Sequence, residues 1–395
     1  MNKNQLAYDL YEKAKKYNSL SFKIQSILEN IKIGNIIIAN KQYNEIFNLV
    51  SCNYIPLLQN INQKLDTVSG IGERHGFEIS VIVPFHNREK VIVNCIQTIL
   101  SQSFNNIEII AIDDGSNDDS YQILTSKIKD NRLKLIKCNK ASGNSGTPRN
   151  IGLSLASGKY IAFVDSDDCI EPNFLQELHE TITTQKAQIA MASNFKRIQY
   201  IKGQRKENII QYKYIPHINQ NAKYPFFINS FVIWDKLYER KLLIDNDIKF
   251  SESKIGADSL FVAKAYFYTS KAVICNNSDK YKYFAFAEGS VTKKYRTSAN
   301  VQEEDKPYQA IFKWLQEESI TDDYQFVQWI RRILSIAYCL KSGNFQINKE
   351  ESDYLINNFS NAPFKSVITF LKKNNLHDNI DNVEKFFNLI KVNNK

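Results

Sequence analysis

The sequence reads ISVIVPF at 79–85, IEIIAID at 107–113, LKLIKC at 133–138 and YIAFVD at 160–165. These four runs are short, mostly apolar and rich in Ile and Val, which is typical of strands buried on both faces of a parallel sheet. Between them, apolar residues recur at helical spacing over 90–101, 120–128 and 148–156. The alternation predicts an α/β domain in which right-handed crossover helices connect mostly parallel strands.

The sequence on both sides of this stretch predicts further regions. Residues 4–66 have apolar positions at helical spacing, and the segment TVSGIGERHG (67–76) concentrates Gly and Ser, as linkers do. Residues 187–300 mix strand-like aromatic runs with two helices, near 234–243 and 258–269. Helical spacing then returns towards the C-terminus. We therefore expect a helical N-terminal region at 1–70, a central α/β domain at 77–297 and a helical C-terminal region at 298–395.

Composition and charge restrict the function classes. The 395-residue chain is 43% hydrophobic and carries 51 basic against 42 acidic residues, a net charge of +9. It is thus a folded globular protein whose charge favours anionic partners such as nucleic acid, acidic glycans, phosphorylated polymers or a membrane face.

Six cysteines without a CxxC pair exclude a zinc ribbon and a thioredoxin-type redox motif. No apolar stretch has the length of a secretion signal or a membrane span, so we expect a cytoplasmic protein, at most associated with the inner face of the membrane.

Functional residues are expected after the carboxyl ends of the strands, where open parallel sheets bind ligands. The first strand leads into HNRE at 86–89 and lacks the GxGxxG fingerprint, which argues against a nicotinamide or flavin enzyme. The second strand ends in DDGS at 113–116, where a carboxylate could accept a hydrogen bond from the imide N–H of a uracil ring. Taken alone, this motif fits a helix N-cap with a solvated acid better.

The third and fourth strands lead into two segments that suit a nucleoside diphosphate. SGNSGTPRN at 142–150 has Thr147 as the expected N-cap of a helix, Pro148 at its first position and Arg149 in its first turn. A diphosphate could bind at this helix start and to Arg149, although a surface loop with a solvated arginine fits the segment equally well. DSDD at 165–168 crowds three carboxylates at the end of a buried strand. Such crowding favours a bound cation, and hard oxygen ligands select Mg²⁺ or Mn²⁺.

In this order and spacing, the motifs VIVPFHN, IIAIDDGS, PRNIGL and YIAFVDSDD resemble those of the family 2 glycosyltransferases, which have the GT-A nucleotide-sugar-binding fold. The resemblance continues through FVIWDKLYERKLLIDNDIKF (231–250), GADSLF (256–261) and, more loosely, YKYFAFAEGSVT (281–292). It covers about residues 78–295 and leaves both helical ends unexplained. SGNSGTPRN looks most like the enzymes that build or decorate bacterial cell-surface polysaccharides and teichoic acids.

The resemblance implies a nucleotide-sugar site and the roles of its main residues. Asp114 would bind the base, and Arg149 would meet the phosphates or the base edge. Asp165 would touch the ribose or the sugar, and Asp167 would hold the divalent metal ion, Mn²⁺ or Mg²⁺, that bridges the diphosphate. The implied binding residues are Pro84, Phe85, Asn87, Glu89, Asp114, Arg149, Asp165, Ser166, Asp167, Trp234 and Lys236.

The resemblance also implies an acceptor cleft and a catalytic base. Trp234 and Lys236 would border the cleft for the sugar and the acceptor, and Asp258 in GADSLF would be the base. Many relatives have Glu-Asp where this chain has Ala-Asp, so a second acid beside the base is absent. Some relatives supply a metal-ligating His where this chain has Ser290, which leaves Asp167, phosphates and water to hold the metal.

The implied reaction is a direct displacement that inverts the anomeric carbon. Asp258 would take the proton of an acceptor hydroxyl, which attacks the sugar of a UDP-sugar as the nucleoside diphosphate leaves; Asp168 and Glu252 are the alternative bases. The enzyme would be a hexosyl- or N-acetylhexosaminyltransferase. Its acceptor would be a surface polysaccharide, a lipid-linked glycan or a polyol-phosphate polymer.

Two other functions stay open at the level of sequence. A sugar nucleotidyltransferase would share the nucleotide-binding sheet, but PFHNREK at 84–90 lacks the Gly-rich loop of that class. A non-catalytic protein that binds an acidic polymer would suit the charge of +9 and the 12% of aromatic residues, whereas scattered lysines and the lack of an RNP-type or helix-turn-helix signature argue against nucleic acid.

The helical ends are candidates for homo-oligomerisation, acceptor docking or peripheral membrane contact. One helical region near the C-terminus is rich in tryptophan and arginine, and these side chains could meet an anionic acceptor or lipid headgroups. Tryptophans at helical spacing are more often part of a core, which is the favoured interpretation. The residues concerned are Trp314, Trp329, Arg331 and Arg332.

Overall fold

The computed structural model describes residues 20–32, 34–46, 52–70, 76–201, 204–211, 232–253, 256–275, 280–285, 301–321, 323–341, 349–373 and 377–392. The chain divides into two compact units. The first takes Met1–Ile210, Ile233–Glu252 and Ser270–Phe284, and the second takes Gln211–Val232, Ser253–Thr269 and Ala285–Lys395. This division does not follow the expected boundaries at 70 and 297, and the three-region organisation stays a prediction.

The secondary structure alternates helices and strands through the central part of the chain. The strands are β1 (Ile79–Phe85), β2 (Ile107–Asp113), β3 (Leu133–Lys137), β4 (Tyr160–Phe163), β5 (Cys169–Ile170), β6 (Ile189–Ala192), β7 (Asn194–Ile201), β8 (Gln204–Gln211), β9 (Lys236–Glu239), β10 (Ala272–Cys275) and β11 (Tyr281–Phe284). The helices up to β9 and just after it are α1 (Leu20–Lys32), α2 (Ile36–Ile46), α3 (Ile55–Ser69), α4 (Ile92–Leu100), α5 (Ser120–Lys127), α6 (Gly146–Leu155), α7 (Phe174–Thr184) and α8 (Arg240–Asp245). The second unit contains α9 (Ala257–Tyr268), α10 (Val301–Glu317), α11 (Asp323–Lys341), α12 (Lys349–Phe359), α13 (Phe364–Lys373) and α14 (His377–Val392).

A seven-stranded sheet in the order β10-β6-β9-β4-β1-β2-β3 forms the centre of the first unit. β1 pairs in parallel with β2 and β4, and β2 pairs in parallel with β3. Every residue of β1 and β2 is buried, as their continuous apolar content predicts. The predicted α/β class with a mostly parallel sheet is thus confirmed. The register places Phe85 beside Asp113, so the loops that follow these two strands start at the same edge of the sheet.

Strand β9 is the antiparallel member of this sheet. It lies between β4 and β6 and pairs antiparallel with both, with Leu237 opposite Ala162 and Ala190. The prediction of a helix near 234–243 is wrong for its first half, because the helix starts only at Arg240. The reason is non-local: two strands from earlier in the chain offer hydrogen-bond partners on both sides, and this tertiary context overrides the local preference of the sequence.

A second sheet in the first unit has the order β5-β11-β7-β8. Strand β11 pairs antiparallel with β5, with Tyr281 opposite Ile170, and in parallel with β7. β5 begins directly after the acidic motif DSDD (165–168). The pairing therefore brings β11, from far later in the chain, to the acidic motif.

The N-terminal helices contact the central sheet region within the first unit. The side-chain amide of Asn62 in α3 donates to the carbonyl oxygens of Ser154 and Ala156, at 2.8 and 3.1 Å, where α6 ends. Lys134 in β3 donates to the side-chain oxygen of Asn44 in α2 at 2.5 Å. Helix α3 continues to Ser69 and so includes the first residues of the expected linker, whose residues 71–75 lie outside the described ranges.

The second unit buries three of the four tryptophan and arginine side chains that the sequence placed together, and Trp329 is half-buried. Trp314 is buried, and Arg331 has no exposed surface. Arg332 donates two hydrogen bonds to the carboxylate of Asp305, at 2.6 and 2.5 Å, and lies over the ring of Phe359. These three side chains therefore belong to the interior of this unit, as the favoured interpretation predicts. No helix within the described ranges is long and apolar enough to cross a membrane.

Candidate functional site

The loops that follow β1 and β2 are tied together by reciprocal hydrogen bonds. Asn87 has a positive φ of 52°, and its N–H donates to the hydroxyl of Ser116 at 2.9 Å. The side-chain oxygen of Asn87 accepts from the N–H of Asn117 at 2.8 Å, and the carboxylate of Glu89 accepts from the N–H of Asp119 at 3.3 Å. Asn87 and Glu89, two predicted pocket residues, are thus held at the carboxyl edge of the sheet.

The ends of the two strands themselves are buried. Pro84 and Phe85 close β1 in the interior, and Asp113 closes β2 with no exposed surface. One oxygen of Asp113 accepts from the N–H of Ser116 at 2.8 Å, whereas its Oδ2 is buried without a hydrogen-bond partner. Burial raises the pKa of the Asp113 carboxyl, and the hydrogen bonds from Ser116 oppose this effect. A buried acceptor without a donor is costly, so Asp113 joins the candidate site residues, beside its neighbour in the DDGS motif.

Asp114, the predicted base ligand, binds the loop that follows β3. Its two carboxylate oxygens each lie 3.0 Å from the N–H of Ser142, and Oδ2 also accepts from the Ser142 hydroxyl at 2.8 Å. Gly115 permits the close approach of the two loops, because a Cβ there would overlap the backbone of residues 140–141. The carboxylate of Asp114 therefore links the loops after β2 and β3. Base binding by Asp114 stays a prediction.

Helix α6 starts at Gly146, two residues before the expected first helical position, Pro148. Thr147 is not the N-cap: its N–H donates to the side-chain oxygen of Asn144 at 2.7 Å, which satisfies one of the free amides at the helix start. Glycine at 146 permits the close approach of residue 251 to the helix start, because a Cβ there would overlap the carbonyl oxygen of Ser251. The predicted helix is confirmed, and its predicted cap is wrong.

Arg149, in the first turn of α6, is buried and contacted from several sides. Its guanidinium donates to the Ser145 hydroxyl at 2.8 Å and to the carboxylate of Asp165 at 2.6 Å. It also lies over the ring of Phe250, with 5.5 Å between the guanidinium carbon and the ring centroid. Arg149 and Asp165 were predicted from two separate motifs, and the structure brings them into direct contact.

The motif DSDD forms a turn in which three carboxylates have different surroundings. The N–H of Asp168 donates to the carbonyl oxygen of Asp165 at 2.9 Å, and Ser166 between them is buried. Asp167 is partly exposed, and a guanidinium nitrogen of Arg88 lies 3.8 Å from its carboxylate. Arg88 was not among the predicted site residues, although it lies between two of them, Asn87 and Glu89, in the β1 loop. We call residues 165–168 the acidic turn.

Electrostatics distinguish Asp167 from its neighbours. Burial and then the charge of Asp165 raise the pKa of the Asp167 carboxyl, and the positive charges of Arg88 and Arg149 oppose this effect. The two carboxylates are therefore close enough to repel each other. A cation placed beside them would relieve this repulsion.

Asp168 is bound on both oxygens by strand β11. The hydroxyl of Tyr281 donates to its Oδ2, and the N–H of Phe284 donates to its Oδ1, both at 2.8 Å. Burial, followed by the charges of Asp167 and Asp165, raises the pKa of the Asp168 carboxyl well above its usual range. These contacts make Asp168 an anchor of the acidic turn, which argues against its use as the alternative base. No sequence signal pointed to Tyr281, because its contact depends on the pairing of β11 with β5.

Trp234 and Lys236 lie in the interior of the first unit. The indole of Trp234 is buried and stacks on the ring of Tyr281, with 4.2 Å between centroids and 17° between planes. Lys236 has no exposed surface, and its Nζ lies 2.5 Å from a carboxylate oxygen of Asp235. Both residues were expected to border a cleft for the sugar and the acceptor. Their burial differs from that expectation, and the cleft stays a prediction.

Asp258 is the second residue of α9 and belongs to the second unit. The helix begins after Gly256, which has a φ of 65° and where a Cβ would overlap the ring of Pro307. A carboxylate in the first turn of a helix interacts favourably with the helix dipole, so this position also has a structural explanation. The role of Asp258 as base stays a prediction.

The residues of the acidic turn fit a divalent cation by their chemistry. Carboxylate oxygens are the ligands that Mg²⁺ and Mn²⁺ prefer, and the charge of Asp165 already disfavours the ionised form of Asp167. Among the described residues, no group of three or more His, Cys, Asp or Glu side chains is arranged to hold a metal ion. Metal binding by Asp167 stays a prediction.

Comparisons with known proteins agree with the sequence motifs. The family described as Glycosyl transferase family 2 matches residues 80–244. The glycosyltransferase GlyG of Streptococcus pneumoniae serotype 4 is 30% identical over 211 residues, which are 51% of this chain and 68% of GlyG. The poly(ribitol-phosphate) beta-N-acetylglucosaminyltransferase TarS of Staphylococcus aureus strain Mu50 is 31% identical over 215 residues, which are 53% of this chain and 35% of TarS.

A solved structure of S. aureus TarS 1–349 in complex with UDP-GlcNAc is 20% identical, with a TM-score of 0.49. That alignment covers 79% of this chain and 92% of the solved chain. The sequence match spans about a third of the length of TarS but about two thirds of GlyG. Because the match to GlyG extends over most of that protein and the family match spans all four strand motifs, this chain belongs to glycosyl transferase family 2.

Proposed function

We propose that the protein is an inverting, divalent-metal-dependent glycosyltransferase that moves a sugar from a UDP-sugar to a hydroxyl of a cell-surface glycan or polyol-phosphate polymer. The observation that carries the proposal is the contact between the acidic turn and Arg149, at 2.6 Å from Asp165, at the carboxyl edge of a parallel sheet. The names of the relatives support the reaction class, and that of TarS supports a polyol-phosphate acceptor and an N-acetylhexosamine donor.

The charges at this edge suit a diphosphate that is accompanied by a cation. Arg88 and Arg149 supply positive charge for phosphate oxygens, and Arg149 is held in place by Ser145 and Asp165. Asp165 and Asp167 supply negative charge on the same turn. Such a mixture of charges favours a bound diphosphate with a metal ion over either alone.

Asp167 would hold the cation, together with phosphate oxygens and water. When bound, Mn²⁺ or Mg²⁺ would supply a Lewis acid that stabilises the charge developing on the diphosphate leaving group. The chain's own contribution is to orient the carboxylates. The turn at 165–168 is closed by its own backbone hydrogen bond, and Asp165 is fixed by Arg149.

Asp258 would act as the catalytic base in a single displacement. Its carboxylate would take the proton of the acceptor hydroxyl while that oxygen bonds to the anomeric carbon and the bond to UDP breaks. One displacement inverts the configuration at that carbon. A retaining double displacement would need a second carboxylate, as nucleophile, within about 5 Å of the reacting centre.

The proposal is tested by UDP binding and by product analysis. Calorimetry on the full chain should show UDP binding with Mn²⁺ that weakens strongly in EDTA. Incubation with UDP-sugars and poly(ribitol phosphate) should then release UDP and leave the sugar on the polymer with inverted configuration. Release of pyrophosphate from UTP and a sugar phosphate would indicate a nucleotidyltransferase instead. Polymer binding without any UDP binding would favour the non-catalytic function. Two further expectations stay predictions: that the protein associates with the inner face of the membrane, and that it forms oligomers through its helical ends.

A further inference from the structure

Tyr281 contacts the acidic turn at both of its ends. Its hydroxyl donates to Oδ2 of Asp168 at 2.8 Å and accepts from the backbone N–H of Asp165 at 3.2 Å. The side chain has no exposed surface, so solvent does not compete for these bonds. One hydroxyl therefore joins the first and last residues of the turn that carries Asp167.

Other aromatic rings fix the position of this hydroxyl. The indole of Trp234 stacks on the Tyr281 ring at 4.2 Å between centroids, and Phe174 packs against it edge-on at 5.8 Å. Rings packed in this way keep a single orientation, because protein interiors leave little room for side chains to move. The position of the hydroxyl is thus fixed by the packing of the Tyr281 ring against Trp234 and Phe174, and not by the acidic turn itself.

We propose that Tyr281, supported by Trp234, is a positioning residue that holds the acidic turn in the geometry that binds the cation and the diphosphate. The inference rests on the proposed function, because it assigns a role within that same site. Side chains that hydrogen-bond to a metal-binding residue and orient it strongly influence metal affinity. Their loss typically lowers the metal affinity or the activity about 10–100-fold. Tyr281 occupies such a place, since it bonds the residues on both sides of Asp167.

A purely structural role of Tyr281 would have a different consequence. Loss of its hydroxyl would then lower the stability of the whole protein but leave the folded molecule's affinity for the cation unchanged. A positioning role predicts the opposite result: the variant folds, but its cation-dependent binding of UDP is weaker than that of the wild type. The two roles are therefore distinguished by a binding measurement on folded protein.

The test uses the variant Tyr281→Phe in the full chain, which keeps the ring stacked on Trp234 and removes only the hydroxyl. Calorimetry should show UDP binding about tenfold weaker than wild type with Mn²⁺ and unchanged in EDTA. In the transfer reaction, the Mn²⁺ concentration needed for half-maximal rate should rise, whereas kcat at saturating Mn²⁺ should stay near the wild-type value. The matched control is Tyr283→Phe, two residues along β11, whose ring also stacks on Trp234 at 5.7 Å. It should bind UDP as wild type does under both conditions.

Several outcomes would overturn the inference. UDP binding by Tyr281→Phe that equals wild type with Mn²⁺ would do so, as would equal weakening with Mn²⁺ and in EDTA. If the variant does not fold, Asp168→Asn serves instead. Its amide has a single acceptor oxygen, whereas the two carboxylate oxygens of Asp168 accept separately from the Tyr281 hydroxyl and the Phe284 N–H, so it should show the same cation-dependent loss. If the wild-type protein binds UDP equally well with Mn²⁺ and in EDTA, the proposed metal site itself is contradicted. That result is obtained before any variant is made.

Discussion

The guanidinium of Arg240 donates two hydrogen bonds to the carboxylate of Asp66, at 2.8 and 2.6 Å, across 174 residues of sequence. Arg240 begins α8, directly after β9, and has no exposed surface. Its Nε also donates to the carbonyl oxygen of Gly158 at 2.8 Å, just before β4. A buried, charge-assisted contact therefore joins the N-terminal helix α3 to the middle of the central sheet.

Replacing Asp66 should destabilise the protein. Asp66→Ala leaves the buried guanidinium of Arg240 without its carboxylate, and removing one partner of a buried ion pair typically costs about 3–5 kcal/mol. Because Asp66 itself is partly exposed, we expect a loss at the lower end, roughly 3 kcal/mol, in the free energy of unfolding measured with urea. The control Asp245→Ala removes the acid of an exposed pair with Lys241 and should leave the urea midpoint unchanged. Equal midpoints for Asp66→Ala and wild type would contradict the structural role of this contact.

A second buried pair should make stability depend on pH. Glu108 and Lys134 lie in adjacent strands and form an ion pair inside the first unit. Burial alone would raise the pKa of the Glu108 carboxyl, but the charge and hydrogen bond of Lys134 and the hydrogen bonds of Ser80 and Ser157 lower it overall. A carboxylate whose folded pKa is lowered stabilises the fold above its unfolded pKa of about 4.3, and the stabilisation is lost as the pH falls through the folded pKa.

The variant Lys134→Met tests this dependence. It should be markedly less stable than wild type at neutral pH, because Glu108 is left buried without its cation. Without Lys134, burial should raise the pKa of Glu108, so the stability difference between variant and wild type should shrink as the pH falls from neutral through this raised pKa. Urea unfolding of both proteins at a series of pH values measures this difference. A difference that stays constant with pH would rule out the proposed ionisation of Glu108.

Asp167→Asn should remove the effect of the cation on UDP binding. The amide keeps the shape of the side chain but lacks the charge that favours Mn²⁺ or Mg²⁺. With Mn²⁺ present, calorimetry should give the variant a UDP affinity close to that of wild type in EDTA. Asp130→Asn, at an acid that pairs with Arg132 before β3, should retain the wild-type response to Mn²⁺. A normal Mn²⁺ effect in Asp167→Asn would place the metal ligand elsewhere.

Asp258→Asn should abolish most of the sugar transfer while leaving the nucleotide site intact. Asparagine can still bond at the start of α9, but it cannot take a proton, and a positioned general base contributes about 10²–10⁴-fold in rate. Transfer should fall by that factor with unchanged UDP binding, and the melting temperature should fall only slightly, because the lost charge at the helix start contributes about 0.3–1 kcal/mol. Glu252→Gln, at the remaining alternative base, should transfer sugar normally. Near-normal transfer by Asp258→Asn would leave this residue only its role at the helix start.

The central strands were predictable because their sequence alone determines them. The continuous Ile and Val runs of β1 and β2 match the observed bounds, since burial on both faces leaves little room for polar positions within them. β9 was missed because its four residues carry no such run and become a strand only between β4 and β6. The N-cap at Thr147 was wrong because the helix already includes Gly146 and Thr147, and the N–H of Thr147 is bound by the side chain of Asn144 instead.

The candidate site was predictable where its residues come directly after a strand. Arg149 and Asp165 were found from two local motifs, and the parallel arrangement of the strands then brings them together. Tyr281 lay beyond sequence reasoning because its contact depends on strand pairing with β5. The burial of Lys236 depends likewise on its place in β9. Local patterns thus identify the residues at the end of each strand, whereas the support behind these residues depends on contacts distant in sequence.

The antiparallel strand β9 has a consequence for the order of folding. Among the described strands, β9 is the link between β4 and β6 in the seven-stranded sheet. As the chain leaves the ribosome, β1 to β4 can pair with one another at once, whereas β6 then has no neighbour from this sheet until Lys236–Glu239 has been synthesised. Until then, β6 has an unpaired edge of the kind that promotes association with other chains. Between the synthesis of β6 and that of β9, the nascent chain therefore carries strand edges that have no partner from this sheet.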